Sequence, residues 1–571
     1  MKNMESKTYK ALLFFLMVLW MVDSFGQAVY ENVNNSIYPY LYRQAQKGNI
    51  DLKDMVRPLN RNQISAYLVA IEKRADSTPT SLNAIEKKEL GFYLQEYGRG
   101  GVEGTVADAN EQWLRKDVRG RLRFFSLIDE GSSKNSTNKK AQPFQFNVEP
   151  IVQSSIHAFG VDSAYMRRAI GVQLWASLGK RWGVQAYYRD IYESGSGMDP
   201  LRKNTPMEGI INVINPRRGA INYADLRGSV SYQWKNGLLS VGKEQYVLGY
   251  GLNGNIIQST KAPSYPYLRF QQRIGKWLQF EYTHGILSSG LVDTPNSYRT
   301  MNLGVYGGQR FKLIPKYYVN HALQMRLMKG LDLQIGESVV YSDKIQFGYW
   351  MPILFFKAWD QYISGNNINA GSNTQLYAQV SSRNQLRYTH LYGSLFIDEI
   401  SPTAILSPSK SRNQLGFQVG TSVTDLPFLP YVSFNAEYTR LNPFVYAHLH
   451  PSQDYTSSGY VMGDWIGSNA DKAIAEIRYT PTPRLRLTLR GERIRKGDEG
   501  NAELQYFARP QPLLLWGLQR KEYNTHFLFQ YEWKHNVYFH GQFQRQEMIL
   551  YRGSINAVKQ YFLSLGFAVG W

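Results

Sequence analysis

The 571-residue chain contains no cysteine. That excludes disulfide staples, a thiol nucleophile, cysteine-ligated zinc and lipid attachment to a cysteine after export. Long apolar runs are equally scarce: after residues 11–22, no stretch approaches the roughly 18 to 20 continuous apolar residues of a membrane helix, so membrane embedding must be by strands. No catalytic motif stands out, since HExxH, the G-x-S-x-G elbow, a phosphate-binding glycine loop and zinc spacing are all missing. No cofactor is implied and the chain reads as a non-enzyme. Acidic residues are in deficit, 45 Asp and Glu against 65 Lys and Arg. This balance suits an acidic glycan or lipopolysaccharide phosphates, and also nucleic acid, which an exported chain does not meet.

Export follows from the N-terminus. Lys2, Lys7 and Lys10 precede the apolar run at 11–22, and Ser24-Phe25-Gly26 follows it. This is the pattern of a cleaved secretory signal over 1–26, with the mature chain starting at Gln27.

The other end carries the strongest signal. Leu563, Leu565, Phe567, Val569 and Trp571 alternate with Ser564, Gly566, Ala568 and Gly570, so one face is apolar and the other small or polar. Lipid accounts for such a face. Ser564, Gly566, Val569 and the terminal aromatic Trp571 also resemble the signal read by the barrel-assembly machinery, which makes that machinery an expected partner.

Between these ends the chain divides. Residues 27–100 have helical periodicity and predict a small periplasmic module of three helices: one with Ile37, Leu41, Tyr42 and Ala45 stopping at Gly48, one behind the cap Asn60, and one from the cap Ser81 to Tyr97. The first two segments faintly resemble the wall-binding modules of surface-layer proteins; packing against a barrel mouth is the simpler expectation. Residues 101–143 read as a connector with one strand near 121–127. From Phe144 to Trp571 alternating runs separated by turn signals predict an all-β transmembrane barrel of about 18 antiparallel strands. Phe527, Phe529, Tyr531 and Trp533 make one aromatic outer face. Lys235-Asn236-Gly237 supplies a tight hairpin, and 180–183 and Lys329-Gly330 supply similar breaks. Stretches near 192–225, 250–266, 345–375, 400–412, 442–470 and 496–522 read as extracellular loops or inward-folded plugs.

Two loops carry a chemistry. Aromatic rings stack on the C–H faces of sugars while carboxylates bind hydroxyls, so Trp350, Trp359, Asp360 and Tyr362 in one loop, and Tyr446, Tyr455, Asp464 and Trp465 in another, are candidate glycan contacts. A girdle plus a lumen plug would use the first loop equally well. Arg484, Arg486 and Arg490 alternate with leucines and should enter the lumen, either as a field for an anionic ligand or paired with lumen carboxylates. His448 and His450 could form a metal pair, but lack a third ligand.

Ordered segments then resemble one family. RFFSLIDEG, FNVEPIV, AIGVQLWASLGKRWGVQAYYRD, VGKEQYVLGYGLNG, STKAPSYPYLRF, KYYVNHALQMRL, IGESVVYSD, LYGSLFIDEI, LNPFVYAHLH and GDWIGSNAD are similar, in this order, to the Wzi capsule-assembly outer-membrane proteins, including relatives in gliding bacteria linked to surface motility. Leu248-Gly249 departs from the Trp-Gly pair often found there. The resemblance implies an outer-membrane barrel of about 18 strands with a periplasmic helical element, which holds capsular polysaccharide at the surface. Expected partners are that polysaccharide, outer-membrane lipid and lipopolysaccharide, and a periplasmic or surface protein at the helices. Two other functions compete: an accessory of gliding motility or adhesin secretion, working through the helices, and a diffusion porin, which needs an open lumen.

Overall fold

The computed structural model describes residues 28–97, 121–129 and, apart from 161, 180, 212–213, 218, 301–307, 365–370, 400–412, 427, 509 and 552–554, residues 144–570. The signal segment, most of the connector, the 400–412 loop and Trp571 lie outside the described residues.

Eighteen long antiparallel strands close a barrel. They are β1 (Phe144–Phe159), β2 (Ser163–Leu178), β3 (Trp182–Gly195), β4 (Ala220–Trp234), β5 (Gly237–Glu244), β6 (Tyr265–Ile274), β7 (Leu278–Val292), β8 (Leu313–Met328), β9 (Leu331–Ser342), β10 (Asn373–Arg383), β11 (Thr389–Glu399), β12 (Gln414–Leu426), β13 (Leu429–Leu441), β14 (Ala470–Thr482), β15 (Leu485–Lys496), β16 (Arg520–Lys534), β17 (Val537–Leu550) and β18 (Asn556–Val569). β18 closes on β1, with Leu565 opposite Ile156 and Phe567 opposite Ser154. Two short strands, Phe125–Asp129 and Ile214–Arg217, pair onto the sheet. Short turns join one end. Asn536 there has φ +61°, the left-handed value that Asn tolerates, and Gly330 has φ +77°, whereas Asn236 and Gly237 do not adopt the left-handed φ expected of them. Long connections gather at the other end.

The period of two decides which way each side chain points. On β18, Leu563, Leu565 and Phe567 are exposed outward while Ser564 and Ala568 are buried. Gly566 sits on the inner side, where an added Cβ would meet His540 and the Ser155 side chain at 2.7 Å. Phe527 and Trp533 on β16 are exposed in the same way, and Asn435, Glu437 and Thr439 on β13 are buried inside.

Three helices fill the short-turn end: α1 (Ile37–Gln46), α2 (Arg61–Ser77) and α3 (Ala84–Tyr97). Gly48 follows α1 at φ +75°. Asn60 caps α2, accepting from the Gln63 amide, and Gln63 returns the bond, a reciprocal capping box. The α3 cap is Asn83 rather than the expected Ser81: Asn83 Oδ1 accepts from the Glu86 amide at 2.8 Å and Glu86 Oε2 accepts from the Asn83 amide at 2.9 Å. Asn83 is one residue before the helix and can reach its first turn, which Ser81 cannot. Ile37, Leu41, Ile64, Leu68, Ile71, Leu90 and Tyr93 form the module's own core.

The module is fastened to the wall by ion pairs and hydrogen bonds. Asp54, fully buried, receives Arg383 of β10 at 2.7 and 3.0 Å. Lys47 reaches Asp425 of β12 at 3.2 Å, Arg326 of β8 meets Asp51, and Ser36 donates to Glu532 of β16. Arg121 joins Glu31 of the module to Glu149 of β1. Glu96 lies among Arg61, Arg121 and Arg123. Burial would raise its carboxyl, but the guanidiniums of Arg123, Arg61 and Arg121 outweigh burial and hold it well below the usual carboxylate range. Voids remain beside the module, one of about 170 Å³ lined by Lys53, Tyr67, Arg269, Arg273 and Glu281.

Candidate functional site

The lumen is filled from the long-loop end as well. The 245–264 connection between β5 and β6 descends into it, and the 442–469 connection between β13 and β14 packs over its tip. Tyr446 donates its hydroxyl to the Ile256 carbonyl at 2.6 Å, and Tyr455 to Ile257 at 2.9 Å. Trp465 and Lys472 both donate to the Asn253 carbonyl, at 2.8 and 2.6 Å. Asp464 and Lys472, both wholly buried, pair at 2.8 Å. Inner-wall residues hold the same tip, with Glu437 accepting from the Leu252 amide at 2.9 Å and Glu492 from the Asn253 side chain at 2.9 Å.

The two fillings meet. Val56 and Arg57 of the helical module pair antiparallel with Leu248 and Val247, and the Gly249 amide donates to Met55 at 3.1 Å. A single apolar cluster runs from Met55 and Val56 through Leu248 and Ile256 to Tyr446, Tyr455 and Trp465. Leu248 stands in this ladder, and Gly249 beside it has φ +113°.

The residues singled out in the sequence therefore fall in three places. Tyr446, Tyr455, Asp464 and Trp465 come together as the core of the plug; at 3 %, 0 %, 0 % and 7 % exposure they offer no open ring face or free carboxylate to a sugar. Trp350, Trp359, Asp360 and Tyr362 lie on the outer wall of the barrel, in and before a helix α4 (Phe356–Ser364). They do not fold inward as a plug. Arg484, Arg486 and Arg490 are not a free guanidinium row. Arg484, at a short turn, stacks over Phe92 of the module; Arg486 donates to the Ser36 carbonyl at 2.7 Å; Arg490 pairs with Glu476 and Glu492. Ser564, Gly566 and Val569 sit on the closing strand.

His448 and His450 lie near the outer end of the plug, where the His450 amide meets His448 Nδ1 at 3.2 Å. No group of three or more metal-ligating side chains occurs among the described residues. Nearby, burial pushes the Asp454 carboxyl up to about 6.

Sequence reasoning missed a further outer element. Tyr298–Arg299 pairs with Gln309–Arg310 in a small hairpin between β7 and β8. Tyr298 and Phe311 are 48 % and 63 % exposed, Arg299, Arg310 and Lys312 are exposed, and the Lys312 ammonium lies 5.7 Å from the Tyr298 ring centroid. Its strands are only two residues long, too short for alternation to register. Exposed cations interleaved with aromatics were the available signal.

Comparison with known proteins fits this architecture. No curated protein matches the chain by sequence. Among solved structures it is similar to Wzi of Escherichia coli, an outer-membrane protein involved in group 1 capsule assembly and described as a carbohydrate-binding β-barrel, at 11 % identity and TM-score 0.54 over 96 % of this chain and 100 % of that one. Pseudomonas aeruginosa OprD follows at 10 % identity and TM-score 0.39, over 74 % and 94 %. The sequence profile of the capsule assembly protein Wzi family matches residues 144–551, and the chain belongs to that family of outer-membrane β-barrels.

Proposed function

We propose that this barrel is a non-enzymatic surface anchor, holding capsular or other extracellular polysaccharide at the outer rim. One observation carries the reading. Among the described residues, helices from one end and loops from the other meet inside the lumen at Val56 and Leu248, which argues against a freely diffusing solute and for work at the surface. Family membership supports a capsule-related role, and the carbohydrate binding described for the Escherichia coli protein supports a glycan ligand.

The contact surface we favour is the outer hairpin. Arg299, Arg310 and Lys312 supply charge for an acidic polymer, and Tyr298 and Phe311 supply faces for sugar stacking. Replacing the three cations by alanine and measuring cell-bound against released polymer in the native cell tests this. Polymer made but shed is the expected result. Retention at the unmodified level removes the hairpin from the reading. Retention after deletion of the whole protein removes the anchor itself and favours the accessory of gliding or adhesin secretion, whose working surface would be the charged outer side of α2 and α3, where Glu72, Lys73, Arg74, Lys87 and Lys88 are exposed.

A further inference from the structure

The lipid-facing wall contains an anomaly. On β8, Leu323 and Leu327 point outward and are exposed, so the period of two also turns His321, Val319 and Tyr317 outward. His321 stands opposite Tyr282 of β7 and Glu337 of β9, which share its outward side. His284 and Tyr341 follow on those two strands. Five polar side chains thus occupy rows that elsewhere carry Ile286, Leu323, Ile335, Leu376 and Val380. A bare carboxylate there would cost several kcal/mol.

It is not bare. After β9, residues 343–364 turn back down the outer wall. Glu337, 2 % exposed, accepts from the Phe356 amide at 2.8 Å and the Lys357 amide at 2.6 Å, the first residues of α4, and its other neighbour is His321 at 3.2 Å. The remaining His321 nitrogen reaches the Pro352 carbonyl at 2.8 Å. Tyr282 donates to the Tyr349 carbonyl at 2.8 Å, Tyr341 lies 2.9 Å from His284, and the His284 and Trp350 rings lie 4.4 Å apart. Tyr349 and Phe356, both wholly buried, fill the space between. The inner side of this flap is matched to the polar cluster.

Its outer side is apolar. Phe347, Met351, Ile353, Phe355 and Tyr362 are 83 %, 47 %, 91 %, 54 % and 68 % exposed, and no charged residue occurs from 345 to 356. Water is a poor partner for such a surface. Its height decides the alternative: His321, which holds Pro352, is seven residues from Met328 at the short-turn end of β8. At about 2.5 Å of height per tilted residue that is about 18 Å, within an apolar band of about 25 Å. The flap is continuous with the exposed rows of Leu323, Ile335 and Leu376.

We propose that residues 345–363 form a membrane-embedded lid: their outer apolar side chains lie among the acyl chains of the outer leaflet, and their inner side closes the Tyr282, His284, His321, Glu337 and Tyr341 cluster off from hydrocarbon. The aromatic run is then a lipid contact, not a sugar platform.

The absence of cysteine makes the test direct, because one introduced cysteine reports alone. A nitroxide is attached to Ile353→Cys and, separately, to Phe355→Cys in phosphatidylcholine vesicles, with Val380→Cys as the lipid reference and Lys312→Cys as the water reference. Heat-modifiable gel mobility establishes that each variant is folded. Collisions with oxygen should exceed those with a water-soluble nickel chelate at 353 and 355, in the ratio seen at 380. A chelate-dominated ratio, as at 312, overturns the proposal, and suppressed collisions with both reagents overturn it in favour of a protein partner or second copy. In the Ile353→Cys background, Glu337→Ala should turn the nitroxide spectrum from mainly immobilised to mainly mobile; an unchanged spectrum would mean that the cluster does not hold the lid.

Discussion

Val56 of the N-terminal module and Leu248 of an outer loop stand directly opposite each other in a two-stranded antiparallel ladder inside the barrel. Two segments that enter from opposite ends of a membrane protein thereby share backbone hydrogen bonds. The bidentate contact of Arg383 with Asp54 lies beside this joint, since Asp54 also accepts from the Tyr250 hydroxyl at 3.0 Å.

Asp54→Ala should loosen the module without preventing barrel closure. It leaves the Arg383 guanidinium buried without its carboxylate, a change that typically costs about 3–5 kcal/mol. Amide hydrogen exchange across 28–97 should accelerate about a hundredfold or more, while amides of β14 to β17 keep their protection. Unchanged exchange in the module would mean that the pair does not hold it.

Acid should release the module. Glu31, Glu86 and Glu96 are buried, which alone would raise them, but Arg121 and Arg61, Arg43 and Lys47, and the Glu96 trio of arginines lower all three below their ordinary 4.5. A lowered folded value stabilises the folded module and its Arg121 contacts fully above about 4.5, and that stability is lost as pH falls through the folded values. Protease sensitivity of 28–97 should therefore be flat from pH 8 to 5 and rise below 4.5. Sensitivity that stays flat below pH 4.5 would contradict these ion pairs.

Asp464→Ala should open the plug, because it strands the buried Lys472 ammonium at a similar cost of about 3–5 kcal/mol. The double change Asp464→Ala with Lys472→Met removes both charges and should recover most of the loss. Planar-bilayer conductance reads the result: closed for the parent, fluctuating for the single variant, closed again for the double.

Leu565→Arg places a cation on the outer face of the closing strand, where Leu565 is 52 % exposed. The cost should be about 2–4 kcal/mol near the bilayer midplane and less toward its edges. The denaturation midpoint in phospholipid vesicles should fall accordingly, whereas Ser564→Ala on the inner face should move it little.

Much of this architecture is legible in the sequence because strand direction is a local property. Phe527, Phe529, Tyr531 and Trp533 declare their face within seven residues, and Lys235-Asn236-Gly237 marks the place of the turn between β4 and β5, although neither Asn236 nor Gly237 takes the left-handed φ that the pair predicts. The Asn60 capping box is equally local. What joins distant segments leaves no local trace: Asp54 and Arg383 are 329 residues apart, and nothing near either names the other. Arg486 and Arg490 show the same limit, since alternation sends them inward but cannot say that a helix carbonyl and two glutamates are waiting. The aromatic runs fail for a different reason. A ring suits sugar, lipid and a protein core alike, so the stretch at 349–362 and the residues Tyr446, Tyr455 and Trp465 read identically until their neighbours are known.

The ladder at Val56 also gives the molecule a load path. Tension applied to the outer loops enters at 245–264, crosses to the N-terminal module through Val56, Leu248 and the Arg57 contact with the Gly249 carbonyl, and leaves along the chain at the opposite end. The narrowest point on that route is a two-residue strand, so force on the outer loops would reach the module through the few bonds at Val56 and Arg57.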